Sequence, residues 1–177
     1  MKLVVFIGDS GSGKTTLVNE LIGKHPDKFK KVVTCTSRTP RMGEVDGVDY
    51  HFLPRECFED NSDLVLVKNP IQGNCYGTRR SDLFSETHHL LLASKPTGIS
   101  KLVALGFENI VVVRIQISEE LKIKRMRLRG DTEGAISERL ESDVASAGDV
   151  NFESVQVVEL DAIQFIDEKI ELILRAC

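Results

Sequence analysis

Two stretches of this chain carry residues whose types and spacing could do chemistry. The first is Gly8-Asp9-Ser10-Gly11-Ser12-Gly13-Lys14-Thr15, which fills every fixed position of G-x-x-x-x-G-K-[ST]. Such a loop wraps anionic oxygens in backbone N–H groups and aims a helix N-terminus at them. Gly8, Gly11 and Gly13 permit a path that a Cβ would block. Ser10, Ser12 and Thr16 complete the candidate cradle, Lys14 is placed to reach β- and γ-phosphates, and the Thr15 hydroxyl is a candidate Mg²⁺ ligand. A Gly/Ser-rich turn between strand and helix is the competing reading. The flanks oppose it, because Lys2 to Ile7 reads as a buried strand and Lys14 to Ile22 as a helix with Leu17, Val18 and Leu21 on one face.

The second stretch is Thr36-Ser37-Arg38-Thr39-Pro40-Arg41, continuing through Glu44, Asp46 and Asp49 to Tyr50, His51 and Phe52. Two arginines three residues apart can converge on one anion, since a guanidinium fork binds phosphate oxygens in pairs. An isolated R-x-x-R fits a solvated charged loop equally well.

The elements that must position these residues can be read along the chain. Lys31 to Thr36 is expected as a strand, residues 37–49 as a polar loop, Asp49 to Leu53 as a strand and Pro54 to Asn61 as a short helix. Leu64 to Val67 and Ile71 to Cys75 read as strands, and Thr78 to Glu86 as a helix. Alternation then continues: strand His88 to Ala93, helix Thr97 to Leu105 closed by Gly106, and strand Asn109 to Ile117. A helix capped by Ser118 should run to about Gly130, followed by a helix from Thr132 to Ser146. Strand Val155 to Val158 and helix Asp161 to Arg175 close the pattern. Strands alternating with helices predict an α/β fold with a parallel sheet covered on both faces.

At 177 residues with 41% hydrophobic content, one domain with a full core is expected. A net charge of −4 argues against general binding to nucleic acid or an anionic membrane. Cys35, Cys57, Cys75 and Cys177 form no C-x-x-C pair and no zinc-like spacing with histidine, so reduced thiols and a cytoplasmic location are expected. No apolar run is long enough to cross a bilayer, and the N-terminus carries no signal-like leader.

The run from Thr36 to Phe52 closely resembles the guanylate kinase signature T-[ST]-R-x-x-[KR]-x-x-E-x-x-G-x-x-Y-x-[FY], with every fixed position filled. Gly73-Asn74-Cys75-Tyr76-Gly77-Thr78 resembles that family's G-N-Y-Y-G-[ST]. Arg125-Met126-Arg127-Leu128-Arg129-Gly130 and Glu138-Arg139-Leu140 resemble its lid motifs. The resemblance implies a P-loop kinase core (1–33, 81–117, 146–177), a β-rich acceptor-binding subdomain (34–80) and a helical lid (118–145). It implies ATP and Mg²⁺ as cofactors and a nucleoside monophosphate partner, GMP or dGMP leading, in a monomer or homodimer. Arg38, Arg41, Tyr50 and Tyr76 would clamp the acceptor phosphate, and Thr34 and Thr78 would lie near the base. Lys14, Arg38, Arg125, Arg129 and Arg139 would stabilise the migrating phosphoryl group. Lone arginines at a helix end are also favoured simply by the helix dipole. A kinase for another nucleotide or a sugar phosphate, or a phosphopeptide-binding module of the same shape, are the alternatives.

Three positions depart from the family pattern. Counted back from Gly73 without a gap, Val67 stands where the family has a base-reading glutamate, and Ala93 and Lys95 stand in place of two acids. Neither valine nor lysine can accept a hydrogen bond, so weaker guanine discrimination is expected. Lys95 reads either as a donor to a base carbonyl or as a helix-end lysine in solvent.

Overall fold

The computed structural model describes residues 1–59, 63–71, 73–146, 152 and 155–177. Five parallel strands form the main sheet in the order β2-β7-β1-β8-β9, with β1 Leu3–Ile7, β2 Phe29–Lys31, β7 His89–Ala93, β8 Ile110–Gln116 and β9 Gln156–Asp161. β1 lies at the centre because it is apolar on both faces, and all five of its residues are buried. Its period-two alternation divides the core. Val4 and Phe6 join Leu17, Val18 and Leu21 of α1 (Lys14–Lys24) and Ile170 and Ile173 of α5 (Ile166–Ala176). Leu3, Val5 and Ile7 point the other way, to Ile99 and Leu102 of α2 (Thr97–Ala104).

A second sheet, ordered β4-β3-β6-β5, is built from β3 Cys35–Thr36, β4 His51–Phe52, β5 Leu64–Ile71 and β6 Asn74–Arg79. Cys35, Phe58, Leu64 and Cys75 form its own small core. Two further helices, α3 (Glu119–Leu128) and α4 (Glu133–Ser146), follow β8. Ser118 caps α3 as the sequence suggests, its Oγ accepting from Leu121 N at 3.3 Å.

Several expected boundaries move. The strand read over Lys31 to Thr36 splits into β2 and β3, which belong to different sheets. Only Arg55–Phe58 is helical in the Pro54 to Asn61 stretch, as one 3₁₀ turn, and residues 60–61 lie outside the described residues. β5 runs unbroken to Ile71, with two register shifts against β6 and a φ of 57° at Leu66. The helix expected from Thr78 is instead the end of β6 followed by a 3₁₀ turn at Arg80–Leu83. β9 runs on past Val158 to Asp161, which delays α5 from Asp161 to Ile166, and the Asp161 Oδ1 accepts from Ile163 N at 2.9 Å in the connecting turn.

Phe6 is fully buried at the centre of this packing. Phe6→Ala should therefore lower the unfolding free energy by about 3–5 kcal/mol, read from the midpoint of urea denaturation with the slope unchanged.

Candidate functional site

The loop between β1 and α1 lies at the carboxyl end of the central strand, where parallel sheets place their ligand sites. Gly8 has φ 145°, and a Cβ there would sit 2.6 Å from the Ile115 carbonyl oxygen, so the loop can pack against β8 only without a side chain. Gly13 caps α1 with φ 97°.

Lys14 folds back over its own loop. Its Nζ donates to Gly8 O at 2.6 Å, Asp9 O at 2.8 Å and Ser12 Oγ at 3.3 Å. Burial pulls its pKa down to about 8, against the raising influence of Asp143 and Asp9. The Ser10 amide donates to Asp143 Oδ2 on α4 at 3.1 Å. Lys122 of α3, only 6% exposed, pairs with Asp9 at 2.8 Å and lies 3.8 Å from Asp143.

The second sheet holds the arginine pair. Thr36 Oγ1 donates to Cys75 O at 3.2 Å and accepts from Arg38 N at 3.2 Å, while Ser37 Oγ accepts from Cys75 N at 2.8 Å. These hydroxyls stitch β3 to β6 and set where Arg38 leaves the sheet. Arg38 then binds Glu44 bidentately, at 2.8 and 2.9 Å, and Glu44 also accepts from Arg41 N at 2.7 Å. The guanidinium holds the Glu44 carboxyl below its usual range. Arg38 also lies 5.4 Å from the Tyr50 ring centre, and Tyr50 meets Tyr76 edge-on at 6.4 Å.

One cleft of about 1110 Å³ joins the two ends. It brings together Gly8, Ser10, Lys14 and Thr15 with Thr34, Arg38, Arg41, Tyr50, Tyr76, Thr78 and Arg139. Gly11, Ser12, Gly13 and Thr16 do not line it. Two expected lid arginines do not face it either. Arg125 donates to Gly11 O at 3.0 Å and Ala162 O at 3.2 Å, bracing the loop from behind. Arg129 is exposed and paired with Asp131, which also lies 3.7 Å from Arg139.

Sequence reasoning missed Lys122, Ser142, Asp143 and Leu66. Asp143 falls four residues after Arg139, on the same helix face, a spacing that could have flagged it. Leu66 lines the cleft, and the register shifts in β5 defeat a gap-free count along that strand. The Val67 side chain is outside what is described. Lys95 is not a solvent-facing lysine, since it lines the cleft and donates to Ser142 O at 3.1 Å and Oγ at 2.7 Å. No group of three or more potential metal ligands occurs among the described residues, and no described helix is long and apolar enough to cross a membrane.

A guanylate kinase family model matches residues 1–176. The guanylate kinase of Clostridium perfringens is 33% identical over 180 residues, covering 98% of this chain and 82% of the relative. That of Schizosaccharomyces pombe is 36% identical over 150 residues, covering 80% and 73%. Among solved structures, guanylate kinase from Anaplasma phagocytophilum superposes with a TM-score of 0.63 at 24% identity, covering 98% and 82%.

The depressed pKa of Lys14 has a consequence for stability. An ordinary lysine titrates near 10.5 and folded Lys14 near 8, so between those values the unfolded chain binds more protons. Stability must then rise with pH through that window, and burying the ammonium costs most below pH 8. Lys14→Met should unfold at a higher temperature than wild type at pH 7, and calorimetry from pH 7 to 10.5 should show the gap closing.

Proposed function

The chain belongs to the guanylate kinase family, and on that premise we propose that it transfers the γ-phosphoryl group of ATP to a nucleoside monophosphate, with GMP the leading acceptor. The observation that carries the reading is the single cleft holding a phosphate loop at one end and an arginine–tyrosine clamp at the other.

In that cleft the Ser10 amide and Lys14 take the donor phosphates, exchanging Asp143 and loop carbonyls for phosphate oxygens. Arg38, Arg41, Tyr50 and Tyr76 hold the acceptor phosphate, and Glu44 presets the Arg38 fork before substrate arrives. Thr34 and Thr78 present hydroxyls near the base. An acceptor phosphate oxygen forms the new bond to the γ-phosphorus while the bond to the bridging oxygen breaks, and the electron pair leaves with ADP. No covalent enzyme intermediate is needed, so catalysis is positioning and charge neutralisation. Arg139, already in the cleft, is placed for the migrating group.

Family members use Mg²⁺ generally, and the residues here fit it. Mg²⁺ keeps several waters and takes one or two protein oxygens beside the substrate phosphates. The exposed Thr15 hydroxyl at the first turn of α1 lines the cleft and meets that requirement. When bound, the ion supplies charge neutralisation at the phosphates.

A coupled ADP-release assay across ribo- and deoxyribonucleoside monophosphates tests this reading. Turnover greatest with GMP or dGMP is expected, with guanine preferred by less than about a thousandfold. A larger preference would mean that a carboxylate reads the base after all. Arg38→Ala should raise the GMP KM and lower kcat, with kcat/KM falling tenfold or more, from about 1.5–3 kcal/mol per lost charge-assisted bond. ATP binding should barely change, and equal weakening of both substrates would place Arg38 at the wrong end.

A further inference from the structure

We propose that Lys95 is a catalytic residue: a second lysine that contacts the reacting phosphates from the end of β7, with Asp143 of α4 serving as its counter-anion until they arrive. The inference rests on the phosphotransfer reading of the cleft.

Strand pairing places the residue. β7 runs parallel to β1 with Phe6 opposite Ala93, and Ser94 N donates to Phe6 O at 2.9 Å. Lys95 therefore emerges beside the loop that follows Ile7, and it lines the cleft with Lys14 and Thr15. The Lys95 charge adds to the burial that lowers the proton affinity of Lys14, which is the arrangement expected of cations waiting for a polyanion.

What holds Lys95 meanwhile is α4. Its Nζ donates to both the carbonyl and the hydroxyl of Ser142. The next residue, Asp143, is only 10% exposed and puts a carboxylate oxygen on the Ser10 amide. That oxygen also attracts Lys122, at 3.8 Å, and the charges of Lys14 and Lys95. A carboxylate oxygen received by a loop amide among three lysines occupies the place of a phosphate oxygen. Two carboxylates, Asp9 and Asp143, face these three lysines together, so a triphosphate is the better electrostatic match. Phosphate entering the loop displaces Asp143 from Ser10, and the Lys95 ammonium turns from Ser142 to the phosphate oxygens between donor and acceptor. There it neutralises charge that builds up as the bond to the bridging oxygen breaks.

Charge and anchoring can be separated by substitution. Lys95→Gln keeps a donor for Ser142 but loses the cation, whereas Lys95→Arg keeps the cation. With the full chain, Lys95→Gln should lower kcat about a hundredfold and raise the KM for ATP by no more than about tenfold, while the KM for GMP changes less than about threefold. It should also weaken inorganic tripolyphosphate binding about tenfold by calorimetry, at an unchanged unfolding temperature. Lys95→Arg should recover most of both losses, and Asp143→Asn should bind tripolyphosphate more tightly than wild type. Wild-type kcat and tripolyphosphate affinity in Lys95→Gln would overturn the role. So would equal losses in Gln and Arg variants with lowered unfolding temperatures, which would mark an anchoring lysine. If wild type transfers no phosphoryl group to any nucleotide, the function proposed for the cleft fails, while tripolyphosphate affinity still decides whether Lys95 binds phosphate.

Discussion

A backbone loop that presents N–H groups without acceptors cannot stay unpartnered, and the rest of this molecule answers to that requirement. The turn from β1 into α1 aims the Ser10 amide outward and adds the partial positive charge of the α1 terminus. In this structure Asp143 satisfies the amide, and loop carbonyls satisfy Lys14. The same site is thus built for an anion and supplied with one from its own chain. Two helices are tied to the loop by this need, because Asp143 comes from α4 and its neighbour Lys122 from α3.

The two sheets divide the work. The five-stranded sheet is buried on both faces, and a rigid centre suits a loop whose geometry must hold within fractions of an ångström. Among the described residues the small sheet has a thin core of four buried side chains, and it relies more on polar stitching. Thr36 and Ser37 show why a hydroxyl pair precedes the arginine. Their oxygens bind the backbone of β6 and of Arg38 itself, so truncating them would loosen the clamp without touching a substrate.

Much of this was legible in the chain. The phosphate loop, the central strand and the alternation after residue 88 follow from glycine placement and hydrophobic period, because local chemistry decides them. The spacing of Arg38 and Arg41 left a solvated loop equally open, and it is the family resemblance that pointed to a clamp; Glu44, which binds Arg38, lies within the same run. What escaped depends on long-range register. The β5 bulge shifts pairing between Val65 and Lys68, and no counting rule contains it. The contact of Asp143 escapes for a related reason: its spacing from Arg139 marks a helix face, but its partner Ser10 lies 133 residues away. The helix misread from Thr78 failed because Thr78 and Arg79 pair with Val65 and Leu64, so tertiary pairing overrode local preference.

The three arginines that the family resemblance assigns to a lid are not equivalent, and their present contacts rank what turning to a phosphate would cost each. Arg139 lines the cleft and sits 3.7 Å from Asp131, beyond hydrogen-bond range, so turning to phosphate forfeits little. Arg129 must abandon Asp131, whose carboxyl it holds below the usual range; the arginine end of that pair is exposed, so water can take over there, although the Asp131 side chain is only 17% exposed. Arg125 would give up bonds to Gly11 O and Ala162 O, each charge-assisted and part-buried, at about 1.5–3 kcal/mol apiece. A rotation that delivered Arg125 would therefore also strip the support from the phosphate loop at the moment the loop is needed. On the proposed phosphotransfer reading, these contacts favour Arg139 as the arginine that would turn to the reacting group and Arg125 as the one that stays, holding the loop to the turn after β9.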